Sequence, residues 1–342
     1  MTSKMRLLTG RQLIWLLGLA APCCALAALF IGSTNISPLV IFDIHTNTQD
    51  WMILREIRLP RVLLSMLVGV VLAMSGAVLQ GLFRNPLADP SLIGVSAGAS
   101  TGASLVIVFG SSLALGSGFA GLSMIAFGAF VGSSLAAWLV YRLSAGPRGT
   151  SVSTMLLVGI AISALAAALN NLMGFIADNE MLRRMSLWQM GNLDLADWDR
   201  VQLGMGMLFA FLLLLNRQAV NLNAMLLGES EARHLGVPVE KLKRRLIFLT
   251  ALGVGVCTSM VGNITFVGLI VPHLVRLVSG PDNRILLAAS GLLGGSLLVM
   301  ADLLARVVIA PAELPVGVIT ALLGVPFFIL LLRQNSFANV RN

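Results

Sequence analysis

The chain has 342 residues, of which 57% are apolar and 11% charged, against about 25% charged in soluble globular proteins. One large core hides much apolar surface, but a water-soluble exterior at this length still needs far more charge, so the composition excludes a soluble protein. The net charge of +8 does not point to nucleic acid either: the basic residues fall in loops between apolar runs, with no continuous basic face and no aromatic-rich RNA motif. What remains is an integral membrane protein whose excess Lys and Arg has the character of cytoplasmic loops.

In chain order, Lys4, Arg6 and Arg11 precede an apolar run at 13–32. The opening mimics a secretory signal, but a run of about 20 residues is span length and longer than a usual signal core, so an uncleaved first helix is expected. Cys23 and Cys24 lie side by side in that run and Cys257 in a later one, a spacing that builds no disulfide framework. Further uncharged runs predict helices at 62–82, 92–109, 113–140, 151–176, 201–216, 285–301 and 316–332. The neutral run 246–272 holds Gly253, Gly255, Gly262, Asn263, Gly268 and Pro272, and reads as one long helix or two with a break. Close-set small residues, such as Gly94, Ser96, Gly98 and Gly102, or Gly291, Gly294 and Gly295, are read as helix-packing surface.

Charge decides the ambiguous run. If it is split, the chain has ten spans and both termini share one side. Arg55, Arg58, Arg61, Arg183, Arg184, Arg200 and Arg306 then lie opposite, leaving 16 of the 23 Lys and Arg on the side of the termini against 7. An unbroken helix gives 13 against 10. The positive-inside rule selects an all-α polytopic protein of about ten transmembrane helices, with both termini cytoplasmic.

The longest cytoplasmic connection runs from Arg217 to Arg245. Leu222, Met225 and Leu226 recur at helical spacing, Gly228 interrupts, and Glu229 to Leu235 predicts a second short helix before Gly236 and Pro238 turn the chain. Two short helices around a glycine make a knob at about 222–245, either an interfacial amphipathic element or a lever moved by a cytoplasmic partner. No G-x-x-x-x-G-K-[ST] occurs, so the chain has no phosphate-cradling loop of its own. The whole of 1–342 reads as one transmembrane domain, without a catalytic or metal-ligating constellation.

The stretch REIRLPRVLLSMLVGVVLAMSGAVLQGLFRNPLADPSLIGVSAGAS, from Arg55 to Ser100, resembles the signature of the iron-chelate, haem and cobalamin permeases of ABC importers. GESEARHLGVPV at 228–239, GNITFVGLIVPHLVR at 262–276 and ADLLARVVIAPAELPVGVITALLGVPFFILLL at 301–332 extend the resemblance over nearly the whole chain. It implies a type II importer permease of ten helices per subunit, working as two copies, a homodimer being expected. Two cytoplasmic ATPase subunits would bind ATP and Mg, and a periplasmic substrate-binding protein would deliver the cargo. By the same resemblance Leu226, Gly228, Glu229, Ala232, Arg233, Leu235 and Gly236 couple the permease to the ATPase, and Asn85, Leu87, Ser153 and Thr154 form a cytoplasmic gate. Arg58, Arg61 and Arg306 match positions that pair with carboxylates on the binding protein, which suits the bidentate geometry of arginine. For Arg306 the competing reading is an i,i+4 pair with Asp302 within one helix.

The segment GFIADNEMLRRMSLWQMGNLDLADW, 174–198, looks more like haem permeases than cobalamin ones, which makes haem the expected cargo and a ferric siderophore or cobalamin the alternative. Arg183 and Arg184 suit propionates, and Met181, Met185, Trp188 and Met190 offer apolar or sulfur contacts. An interfacial helix with an aromatic anchor explains the same residues. His45, His234 and His273 sit in loop, knob and span-end positions and are not read as iron ligands, and no permanently bound cofactor is expected. A secondary transporter is the rival class, but such carriers place ionisable residues near the midplane, and here the spans are almost free of them, Asp302 at the end of the run 285–301 being the exception.

Overall fold

A computed structural model of the chain describes residues 9–32, 36–41, 48–110, 119–146 and 149–340. Lys4, Arg6, Arg148 and Arg341, four of the 16 basic residues counted on the side of the termini, lie outside the described residues, as do His45 and the predicted start of the span at 113.

Helix α1 (Gly10–Phe30) starts at a capping box made by Thr9 and Gln12, which satisfies two of the orphan amides of its first turn. A short α2 (Thr48–Met52) passes through a π-helical turn at Ile53–Arg58 into α3 (Leu59–Phe83), followed by α4 (Val95–Phe109) and α5 (Phe119–Ser144). A two-residue antiparallel ladder, β1 (Ala145–Gly146) with β2 (Gly149–Thr150), leads to α6 (Val152–Ile176). The short α7 (Asn179–Gln189) and the long α8 (Trp198–Asn216) come next, and then the knob, α9 (Ala219–Met225) with α10 (Glu229–His234). The last four helices are α11 (Val239–Val261), α12 (Val267–Ser279), α13 (Asn283–Val307) and α14 (Val316–Val340).

Among the described residues, seven helices are long and apolar enough to cross a bilayer, and α4, α12 and the first part of α14 are shorter apolar helices. These are the spans that charge counting asks for, and the break falls inside the run 246–272. At the break Gly262 has φ 74° and ψ −163°, and Phe266 is left-handed. A broken backbone at membrane depth must satisfy its polar groups within the protein. The Asn192 amide donates to the Val261 carbonyl at 2.7 Å, and the Arg200 guanidinium to the Met260 carbonyl at 3.0 Å.

Helix α3 is the axis of the bundle, buried from Pro60 to Phe83 on nearly every side and flanked by α8, α11, α12 and α13. It approaches α12 backbone to backbone, where a side chain on Gly76 would strike the Gly268 carbonyl. In lipid, where water gives helices no reason to associate, such backbone-to-backbone approach is what packs them. The small residues read as packing surface behave this way: Gly102 faces Gly128, and Gly294 faces Gly69. By contrast α1, α6 and α8 turn Trp15, Leu157, Phe175 and Phe209 outward, as helices in contact with lipid or with another subunit do.

Candidate functional site: the two polar ends of the bundle

At one end the knob is clasped to the bundle at two points. Leu222, Met225 and Ala232 are fully buried and hold α9 and α10 against the core. The Asn223 side chain donates to Asp282 at 2.7 Å and accepts from the Asn283 backbone amide at 2.8 Å, tying α9 to the start of α13. The Asn223 side chain and the Arg284 backbone amide, both donating to it, hold the Asp282 carboxyl below the usual carboxylate range. At the second point Lys243 of α11, itself buried, reaches Glu229 of α10 at 2.7 Å, Glu240 at 3.4 Å and the Thr150 carbonyl at 3.0 Å.

Between the helices of the knob, Gly228 has φ 126° and ψ 158°, a conformation open to glycine alone. Of the coupling residues expected from the sequence, Gly228 and Ala232 are buried and shape the knob, Leu226 and Glu229 are half-buried, and Arg233, Leu235 and Gly236 face outward. The sequence reading missed Leu227, which is 66% exposed, as Leu235 is at 63%. Helical spacing favoured Leu226, but the turn that ends α9 rotates Leu226 inward and presents its neighbour.

Beside the knob the end of α3 meets the start of α6. Leu82, Phe83 and Arg84 share a cavity of about 430 Å³ with Thr150, Ser151, Val152, Ser153, Glu229, Glu240 and Lys243. Asn85 folds the turn after α3 by accepting the Leu87 amide at 2.9 Å, while Ser153 and Thr154 are exposed in the first turn of α6, which Ser151 caps. Asp89 caps the next turn, Pro90–Ile93, by accepting the Ser91 amide at 2.8 Å, and burial pushes its carboxyl up. Of the residues expected to form a gate, Ser153 lines this cavity, while Asn85, Leu87 and Thr154 follow its lining residues Arg84 and Ser153 along the chain.

At the opposite end Arg58, Arg61 and Arg306 do converge, but not as free cations. All three are buried. Arg61 pairs with Asp302 at 2.8 Å, Glu313 at 2.7 Å and Asp194 at 3.0 Å. Arg306 lies 3.2 Å from Asp302, the i,i+4 contact allowed for above, and donates to the Ala28 carbonyl at 3.0 Å. Arg58 donates to the Leu29 carbonyl at 2.8 Å. Two guanidiniums therefore cap the last turn of α1, where unpaired carbonyls favour cations. The reason is desolvation: a guanidinium under helix ends is tolerable only with carboxylates or carbonyls around it. The sequence showed the arginines; it did not show that Glu313 and Asp194, distant along the chain, meet them.

Helix α7 lies at this end, capped by Asp178, whose side chain accepts the Met181 amide at 2.8 Å. Arg183 and Arg184 are exposed, Arg184 pairing with Glu180 on its own helix. Met185 instead points inward and packs with Ile107, Val108 and Met173, so it props α7.

A bundle of apolar helices, three of them short, with the ion pairs described above gathered at its two ends, defines a multi-pass membrane protein. Residues 19–334 match the FecCD transport family, and the chain belongs to that family. It is 42% identical over 332 residues to the hemin transport system permease protein HmuU of Yersinia pestis, covering 97% of each chain. It is 42% identical over 285 residues to the cobalamin import system permease protein BtuC of Halobacterium salinarum, covering 83% of this chain and 74% of that one. Among solved structures it is similar to an inward-facing metal-chelate type ABC transporter, with a TM-score of 0.85, 31% identity and coverage of 95% and 99%. The protein is accordingly a transport subunit of the inner membrane.

Proposed function

We propose that the protein is the membrane-spanning subunit of an ATP-driven importer that passes haem from a periplasmic binding protein to the cytoplasm. The observation that carries this reading is the 42% identity to a hemin permease along 97% of both chains. Two copies of the chain would enclose the path, two cytoplasmic ATPases would bind ATP and Mg, and haem is cargo with no resident cofactor beside it. The excess of 16 basic residues over 7 supports placing the knob end, and both termini, in the cytoplasm.

On this reading Leu227, Arg233 and Leu235 seat the knob in the ATPase, and Gly228 and Ala232 set its shape. Asn85, Leu87, Ser153 and Thr154 open and close the inner mouth. Docking at the outer mouth works by exchange: a carboxylate of the binding protein replaces half-exposed Asp194 or Glu313 on Arg61, while Arg58 and Arg306 hold the platform. Arg183 and Arg184 draw in the propionates.

The similarity to a cobalamin permease supports a second cargo, so the test compares them. A strain lacking the chain is grown on haem as sole iron source, with ferric siderophore and cobalamin uptake measured in parallel. Loss of haem-dependent growth alone, restored by the intact chain, is expected. Normal haem use with lost cobalamin or siderophore uptake overturns the cargo and leaves the importer.

A further inference from the structure

Lys243 lies in the first turns of α11, is 3% exposed, and is buried in the part of the molecule where three elements meet. An ammonium has three donors and no acceptor, and here it finds one acceptor on each of three partners. Glu229 belongs to the knob, Glu240 to α11 itself, and the Thr150 carbonyl to the strand that runs directly into α6. Glu240 returns to the same strand by accepting the Thr150 amide at 3.0 Å, so both backbone groups of Thr150 are held by this one ion cluster. Only two residues separate Thr150 from Ser153 at the mouth of α6.

The surroundings give the cluster room to act. The cavity of about 430 Å³ adjoins Lys243 and is walled by the end of α3 on one side and by Thr150 to Ser153 on the other. The knob's other clasp, Asn223 with Asp282 and Asn283, is fixed to α13 instead. The knob is thus anchored by α9 to one helix and by α10, through Lys243, to another element. A displacement of α10 that left α11 and Thr150 behind would take Glu229, the 2.7 Å partner, from a buried ammonium, and losing one member of a buried ion cluster is costly, so motion of α10 favours Lys243 and the strand it holds moving too.

We propose that Lys243 is the positioning residue that carries motion of the knob into the entrance of α6, so that ATPase movement and gate movement are one event. This rests on the coupling role of the knob proposed above. The test uses the complete importer, permease with ATPase and binding protein, in proteoliposomes with haem and cobalamin as probes. Lys243→Met should keep ATP hydrolysis within about twofold of the parent while import per ATP falls at least tenfold, and Lys243→Arg should recover part of the loss. Spin labels at Ser230 in the knob and at Ser153 report each motion separately. In Lys243→Met the Ser230 label should still shift on adding ATP and Mg, and the Ser153 label should not.

Equal import per ATP in Lys243→Met and parent overturns the inference. If Lys243→Met does not assemble, Glu229→Gln keeps Lys243 paired with Glu240 and decides the matter: a Ser153 shift as large as in the parent overturns the inference. A Ser230 label that stays still in the parent itself overturns the knob's coupling role, and the inference falls with it.

Discussion

Asp302 is the residue on which most of one end depends. It is 1% exposed and faces both Arg61 and Arg306. Removing one member of a buried ion cluster leaves the others charged and dry, which costs about 3–5 kcal/mol. Asp302→Asn should lower stability by that order in thermal unfolding of the detergent-solubilised protein, and a loss below about 1 kcal/mol would mean that water reaches the cluster. For the same reason Arg58→Glu with Arg61→Glu would damage the fold before it reported on docking. Glu313→Gln with Asp194→Asn is the sounder probe: if a partner carboxylate exchanges onto Arg61, removing the competitors should tighten docking severalfold, and unchanged docking would remove the exchange. At the other end Asp282 titrates below the usual range because Asn223 and the Arg284 amide donate to it. A depressed folded value means that its stabilisation is complete above the ordinary Asp pKa of about 3.9 and disappears as pH falls through the folded value. Asp282→Asn should flatten the acid limb of a pH-dependent unfolding curve, and an unaltered acid limb would show that the clasp of α9 does not depend on this charge.

The elements depend on backbone geometry that two glycines supply. Gly228 occupies a conformation that costs other residues about 1–3 kcal/mol, and a side chain there would also strike Glu231. Gly228→Ala should displace α10, leaving ATP turnover running while import falls; import at the parental level would sink the knob's role. Gly76 lies where α3 and α12 touch backbone to backbone. Gly76→Leu should exceed the roughly 1–3 kcal/mol usual for overpacking, because a carbonyl cannot step aside as a side chain does, and it should be visible as a lower yield of folded protein. The break between α11 and α12 belongs to the same scale. Its glycines were visible in the sequence, but whether they bend, break or merely pack was settled there only by counting charges elsewhere in the chain.

For the whole molecule the orientation is the open consequence of that count. Single cysteines placed at Ser153, Ser230 and Asp282 should be shielded from a membrane-impermeant thiol reagent added outside, and cysteines at Arg183 and Glu313 should be labelled by it. The reverse pattern would invert the importer and with it every role assigned to the two ends. The outward apolar faces of α1, α6 and α8 fit a protein whose surroundings are lipid and a second subunit.

The span pattern, the knob and the family blocks were legible because they are local or statistical properties: hydropathy over a window, helical spacing, glycine and proline at turns, and the sum of charges between spans. Arg58, Arg61 and Arg306 were legible as residues and not as a cluster, since Asp194 and Glu313 reach Arg61 across more than a hundred residues of chain. Lys243 was one basic residue among four in KLKRR until folding buried it against Glu229 and Thr150. Leu227 gave way to Leu226 for want of the turn that ends α9, and the inward packing of Met185 against Ile107, Val108 and Met173 could not be read from its neighbours in sequence. A run of amino acids states what each stretch prefers and which medium it can live in. Which charge ends up dry beside which other depends on how helices far apart in sequence cross, and desolvation then fixes whether that charge is a surface handle or part of the frame.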